Sequence, residues 1–140
     1  MSRSLFAAAV LAASLSAGAA MAETVTFHAT MNGASEVPAN TSKGTGTATA
    51  TLNTVTHALA YTVTYSGLTG PATAGHIHGP ALAGKNAGVE VPFKAPLASP
   101  IKGTATLTAT QQADLMAGKY YANVHTAAHK GGEIRGQLMH

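Results

Sequence analysis

Cysteine and tryptophan are absent from this chain of 140 residues, and only 9% of its residues are charged. Without cysteine there can be no disulfide framework, no thiolate nucleophile, no iron–sulfur cluster and no blue-copper site. The five acidic residues are outnumbered by seven histidines. Imidazole is therefore the main metal ligand or acid–base group that this sequence offers.

Positive charge is also sparse, with a formal net charge of +3. Nucleic-acid-binding proteins concentrate lysine and arginine on one face, whereas the lysines here are scattered singly along the chain. The sequence therefore predicts no nucleic-acid partner. The lysines stand at positions 43, 85, 94, 102, 119 and 130.

The beginning of the chain combines Arg3, an apolar run over residues 5–20 and the sequence Ala20-Met21-Ala22. This order is typical of a secretory signal peptide that is cleaved after Ala22. The run is too short to span a bilayer, and no cysteine follows it to carry a lipid anchor. We therefore expect a periplasmic or secreted protein without a membrane anchor, with a signal peptide at residues 1–22 and a single domain at residues 23–140.

The rest of the sequence alternates apolar residues with threonine at a period of two, which is typical of half-buried antiparallel strands. Glycine and proline separate the alternating segments. About eight short strands with this spacing predict an all-β fold, an antiparallel Greek-key sandwich or barrel. The strands are expected at residues 24–30, 44–53, 57–66, 74–78, 89–94, 102–107, 120–126 and 133–139.

One segment departs from this alternation. Residues 108–111, Thr-Ala-Thr-Gln, have the form of a capping box, and apolar residues follow them at helical spacing. Gly118 stands where a helix C-terminal cap belongs. We therefore expect one short helix at residues 109–117.

The most informative motif is the paired-histidine strand His76-Ile77-His78. Residues two apart on a strand point to the same side, and Ile77 suits the core, so both histidines are expected to face outward. The same parity places His125 and Arg135 on the outer faces of two later strands. If the three strands are neighbours, these four side chains converge on an exposed site.

Such a site would suit a metal ion. The histidine pair supplies two imidazoles without straining the backbone, and His125 supplies a third, which leaves open positions for water or substrate. Imidazole binds copper, zinc and iron, and the lack of thiolates and nearby carboxylates favours one copper ion over zinc. His129, His28 or water could complete the shell. The alternative is that these histidines are simply polar groups on a solvated face.

Arg135 is the candidate catalytic residue. One fixed positive charge beside a cleft raises the local concentration of a small anion. The alternative is that Arg135 only forms an ion pair with Glu133 or Glu36.

Four motifs, in this order, resemble the CHRD domain, which is named from chordin. The similarity extends from about residue 25 to residue 138, and it implies a β-sandwich domain of a kind found in bacterial exported proteins and in chordin. It does not by itself imply an activity. The motifs are residues 33–38 (Gly-Ala-Ser-Glu-Val-Pro), 74–81 (Ala-Gly-His-Ile-His-Gly-Pro-Ala), 121–126 (Tyr-Ala-Asn-Val-His-Thr) and 132–137 (Gly-Glu-Ile-Arg-Gly-Gln).

The histidine pair, the later histidine and the arginine near the C-terminus are also distantly similar to copper-zinc superoxide dismutase, a Greek-key β-barrel family. That similarity implies that His76, His78 and His125 ligate copper and that Arg135 guides superoxide. The chain departs from the family because it has no cysteine for the disulfide. Its only aspartate, Asp114, lies in the expected helix, so a zinc site is not expected. A site of this type would therefore contain copper alone.

Three functions remain open on the sequence. The first is a copper-dependent superoxide dismutase. The second is a copper-binding module that sequesters or delivers the ion without catalysis. The third is a metal-free extracellular interaction domain.

Overall fold

The computed structural model describes Gly18, Met21 and residues 23–140. The expected signal peptide, residues 1–22, lies outside the described residues except for Gly18 and Met21. The remaining chain forms eight strands, a 3₁₀ turn after the first strand and one α-helix, α1, between the sixth and seventh. They are β1 (Thr24–Asn32), the turn (Gly33–Ser35), β2 (Thr45–Asn53), β3 (Ala58–Ser66), β4 (Ala72–His78), β5 (Val89–Pro92), β6 (Ile101–Thr106), α1 (Ala109–Met116), β7 (Tyr121–Thr126) and β8 (Ile134–Gln137).

All eight strands belong to one antiparallel sheet with the order β5-β4-β7-β8-β1-β2-β3-β6. Neighbours such as β4 and β7 are distant in the chain, so connections cross from one part of the sheet to another. The sheet wraps around one core as a nearly closed barrel. The expected all-β class, the eight strands and the helix are confirmed, and every boundary falls within two residues of its expected position.

The period-two pattern accounts for the core. In β1, Phe27, Ala29 and Met31 are buried, whereas His28 and Thr30 between them face out. The same alternation runs through β2 and β3. Threonines occupy much of the outer face of these strands, where β-branched side chains fit the pleated surface. Burial of the alternate apolar residues therefore fixes the register of this part of the barrel.

Helix α1 begins and ends as its sequence indicates. The Thr108 hydroxyl accepts a hydrogen bond from the Gln111 N–H, and the Gln111 side-chain oxygen accepts one from the Thr108 N–H. Gly118 follows the helix with a φ of +73°, a left-handed conformation that favours glycine. Leu115 anchors the helix in the barrel core.

Strand β7 is buried on both of its faces over its whole length. Its inward residues join the core, and segments outside the sheet contact its outward residues. The Ala87 N–H donates to the Tyr121 hydroxyl, and the Lys130 carbonyl contacts His125. The expectation that this outer face is exposed is therefore wrong, because loops at residues 79–88 and 127–132 cover it.

Within the part of the chain that the structure describes, no helix has the length and hydropathy that crossing a membrane requires.

Candidate metal centre

Strands β4 and β7 bring the three predicted ligands together. His76 lies directly across from Asn123, and Ala74 lies across from His125, so His76, His78 and His125 share one face of this strand pair. One ring nitrogen from each histidine lies within 4.8 Å of the others. This spacing allows a single ion to contact all three imidazoles.

Backbone carbonyl groups fix the orientation of two of these rings. His78 Nδ1 lies 3.0 Å from the Ala87 oxygen, and His125 Nδ1 lies 2.7 Å from the Lys130 oxygen. Because a carbonyl oxygen only accepts, each Nδ1 carries the hydrogen. In the neutral imidazole, each Nε2 therefore presents a lone pair to the cluster. Hydrogen bonds of this kind orient histidine ligands in metal sites.

His76 enters the cluster through its other ring nitrogen. Its Nδ1 lies 3.2 Å from His125 Nε2. In the metal-free protein, His76 Nδ1–H donates to the lone pair on His125 Nε2. With an ion present, the His76 hydrogen would lie on Nε2 instead, and His76 Nδ1 would join His78 Nε2 and His125 Nε2 as a ligand.

The environment favours neutral imidazoles. Burial lowers the pKa of His76, and the neighbouring His125 and His78 lower this pKa further. Burial also lowers the pKa of His78, with smaller contributions in the same direction from His125 and Arg135 against hydrogen bonds that raise it. A neutral imidazole is the form that binds a metal.

The amide of Asn123 lies inside the cluster. Its Oδ1 is 3.0 Å from His78 Nε2 and 3.0 Å from His125 Nε2, and the side chain is only 3% exposed. Strand parity places Asn123 on the histidine face, but no role in the site follows from the sequence for this residue. The sequence feature that could have identified Asn123 as part of the site is its position two residues before His125, on the same face of the strand.

Arg135 contacts the ring of Tyr121, which in turn stacks on the ring of His78. The guanidinium donates to Asn86 Oδ1 at 2.9 Å and to the Lys85 oxygen, and its Cζ lies 3.4 Å from the centroid of the Tyr121 ring. At 2% exposed, Arg135 is buried, so the expectation that it lies on an exposed face is wrong. The loop at residues 79–88 covers it.

The two carboxylates considered as partners of Arg135 have other surroundings. Hydroxyl groups hold the Glu133 carboxylate, and among residues 23–140 neither Glu133 nor Glu36 forms an ion pair with Arg135. Burial raises the pKa of Glu36 to about 7, although the charge of Arg135 and the Asn123 amide act in the opposite direction. The hydroxyls around Glu133 belong to Ser42, Thr69 and Thr126.

The other candidate histidines lie outside the cluster. His129 Nε2 is 3.9 Å from Glu133 Oε1, and His28 pairs with Met139 along the backbone of β1. Over the described part of the chain, only His76, His78 and His125 form a group of histidine and acidic side chains with metal-site spacing.

Together, the fold and the site define an all-β barrel domain that carries a three-histidine cluster on one covered face of its sheet. The family model of the CHRD domain matches residues 27–138, and the chain belongs to this family. The matched segment includes the three histidines, Asn123 and Arg135. Comparison with curated proteins found no match, and comparison with solved structures found none either.

Proposed function

We propose that this CHRD domain binds one copper ion through His76, His78 and His125 and that the copper-loaded protein dismutes superoxide. The observation that supports this proposal is the convergence of three imidazole nitrogens within 4.8 Å. Two of these rings are held by backbone carbonyls so that their lone pairs face the same point.

The chemistry of the donor set supports copper. All three donors are imidazoles, which suit copper, zinc and iron. Neither a thiolate nor a carboxylate belongs to the cluster. Copper also alternates between two oxidation states, which zinc does not.

Access and charge support the catalytic part of the proposal. His76 and His78 are partly exposed, so a small anion can approach the cluster from solvent. Arg135 contributes positive potential at His78, as its effect on the pKa of that imidazole indicates. In the proposed reaction, one superoxide gives an electron to Cu(II) and leaves as O₂. A second superoxide takes that electron from Cu(I) and, with two protons from solvent, forms H₂O₂.

One observation favours the second candidate function, copper binding without catalysis. The guanidinium of Arg135 is buried and already donates to Asn86 and to the Lys85 oxygen. It cannot contact an incoming anion in this arrangement, so it acts only through its field. A protein with this site could sequester or deliver copper without turnover.

The test uses purified wild-type protein, a variant with His76→Ala and His78→Ala together, and a His125→Ala variant. His28→Ala is the matched control, because His28 is an exposed histidine outside the cluster. We expect about one copper per wild-type or control chain by elemental analysis, and a large loss of copper in both cluster variants. Equal copper content in all four proteins would contradict the proposed site.

Superoxide dismutation is then measured on the copper-loaded protein with a chelator that removes free copper. Turnover above the rate of the same concentration of free copper would support the enzymatic function. Tight binding without turnover would overturn the dismutase assignment and support copper sequestration or delivery. Absence of copper binding would overturn both and leave the metal-free interaction domain.

A further inference from the structure

We propose that Asn123 Oδ1 is a fourth ligand of the metal site and that this oxygen makes the site prefer Cu(II) to Cu(I). The inference rests on the proposed three-histidine site. It starts from the position of the amide oxygen, which is 3.0 Å from both His78 Nε2 and His125 Nε2. Asn123 is 3% exposed, so the amide cannot turn out into solvent.

The surroundings of the Asn123 amide nitrogen determine which atom of the amide faces the histidines. Asn123 Nδ2 and Glu36 Oε1 both lie against Gly132, where an added Cβ would be 2.8 Å from the nitrogen and 2.3 Å from the oxygen. The Asn123 amide also lowers the pKa of Glu36, as expected of a donor that faces a carboxylate. The opposite orientation would place the amide oxygen against that carboxylate, where two acceptors would meet.

The amide oxygen of Asn123 then faces the lone pairs of two ring nitrogens. His78 and His125 each carry their hydrogen on Nδ1, toward the Ala87 and Lys130 oxygens, so both Nε2 atoms are acceptors in the neutral rings. An amide oxygen 3.0 Å from two acceptors is repelled by both unless a positive charge lies among them. A metal ion that takes one lone pair from each atom removes this repulsion.

An oxygen in the ligand set changes which oxidation state is favoured. Sites with nitrogen and oxygen ligands suit Cu(II), whereas soft sulfur ligands select Cu(I). An amide oxygen added to three imidazoles therefore stabilises Cu(II) more than Cu(I). The same oxygen would also lower the tendency of bound Cu(II) to be reduced.

The experiment measures the dissociation constants of Cu(II) and Cu(I) separately, by competition with chelators specific for each oxidation state. It compares the wild-type protein with Asn123→Leu, which keeps a similar volume but has no oxygen. We expect Asn123→Leu to weaken Cu(II) binding by roughly tenfold or more. Cu(I) binding should change by less than about threefold. The loss of a positioning contact alone would weaken Cu(I) binding by more than this factor. Asn123→Asp, which retains an oxygen at this position, should keep Cu(II) affinity.

Asn53→Leu is the matched control, because the Asn53 side chain bonds the Val55 and Thr56 N–H groups of a turn outside the cluster. This variant should leave both constants unchanged. Circular dichroism confirms that each variant is folded. Equal weakening of Cu(II) and Cu(I) in Asn123→Leu would show a structural role and overturn the inference, as would unchanged Cu(II) binding. If the wild-type protein binds copper in neither state, the three-histidine site itself is refuted, a result distinct from either of these.

Discussion

The ring of Tyr121 stacks on the ring of His78, with centroids 4.8 Å apart and planes within 4° of parallel. Both residues also meet at Ala87, whose oxygen contacts His78 Nδ1 at 3.0 Å and accepts from the Tyr121 hydroxyl at 3.2 Å. Arg135 lies over the same tyrosine ring. The orientation of one candidate ligand therefore depends on a tyrosine from the neighbouring strand and on an arginine from the next.

This relationship predicts that Tyr121→Leu weakens copper binding. Leucine keeps an apolar side chain at the position but removes the flat surface that holds the His78 ring. We expect copper affinity to fall by roughly tenfold, the scale typical of lost supporting contacts in metal sites. Tyr121→Phe keeps the ring and loses only the hydroxyl contacts with Ala87, so its copper affinity should fall by less than that of Tyr121→Leu. Equal affinity in Tyr121→Leu and wild-type proteins would contradict the orienting role of the stack.

The ring tautomers provide a second prediction, which needs no metal. The Ala87 and Lys130 oxygens require the hydrogen on Nδ1 of His78 and His125. Long-range proton–nitrogen NMR spectra of the metal-free protein at about pH 8 should show Nδ1–H for both rings. A spectrum with the hydrogen on Nε2 of either ring would show that its lone pair points away from the cluster.

Gly132 and Gly131 offer a third prediction as a matched pair. Gly132 has a φ of +123°, and an added Cβ would lie 2.3 Å from Glu36 Oε1. Gly131→Ala meets nothing within 4 Å. We expect Gly132→Ala to lower the free energy of unfolding by about 1–3 kcal/mol because of backbone strain and this clash. Gly131→Ala should stay within about 0.5 kcal/mol of the wild-type value.

Urea unfolding of the three proteins measures these differences. A Gly132→Ala protein as stable as Gly131→Ala would mean that the close packing of Glu36 and Asn123 on Gly132 is not needed for stability.

Local patterns in the sequence were sufficient to predict the strands, the helix and the shared face of the histidines. Period-two alternation can be recognised within a short stretch of sequence, and so can the capping box at Thr108 and Gln111. Parity then fixed the side of the sheet for His76, His78 and His125, and the pairing of β4 with β7 brought them together.

The coverage of the histidine face by loops could not be predicted from local patterns. It depends on contacts between residues far apart in the chain, such as Asn86 with Arg135 and Ala87 with Tyr121. No periodic pattern indicates where a loop folds back over a sheet. For this reason the sequence predicted an exposed arginine, whereas Arg135 is buried beneath residues 79–88.

Glu36 gives a final prediction about pH. Its carboxyl is 6% exposed, and Oε1 has no hydrogen-bond partner among the residues that the structure describes. Burial raises its pKa from 4.5 to about 7, while the Arg135 charge and the Asn123 amide oppose the increase. The folded state therefore holds this proton more tightly than the unfolded state. The resulting stabilisation is complete below about pH 4.5 and is lost as the pH rises through about 7.

The Glu36→Gln variant isolates this contribution because glutamine stays neutral at every pH. Relative to Glu36→Gln, the wild-type protein should lose about 2–3 kcal/mol of unfolding free energy between about pH 4.5 and pH 8. The lowered pKa values of His76, His78 and Glu133 act in the opposite direction with pH, but they are present in both proteins and cancel in the comparison. Urea unfolding at several pH values measures the difference. A constant difference, or one that increasingly favours the wild-type protein above pH 7, would show that the fold does not favour protonated Glu36.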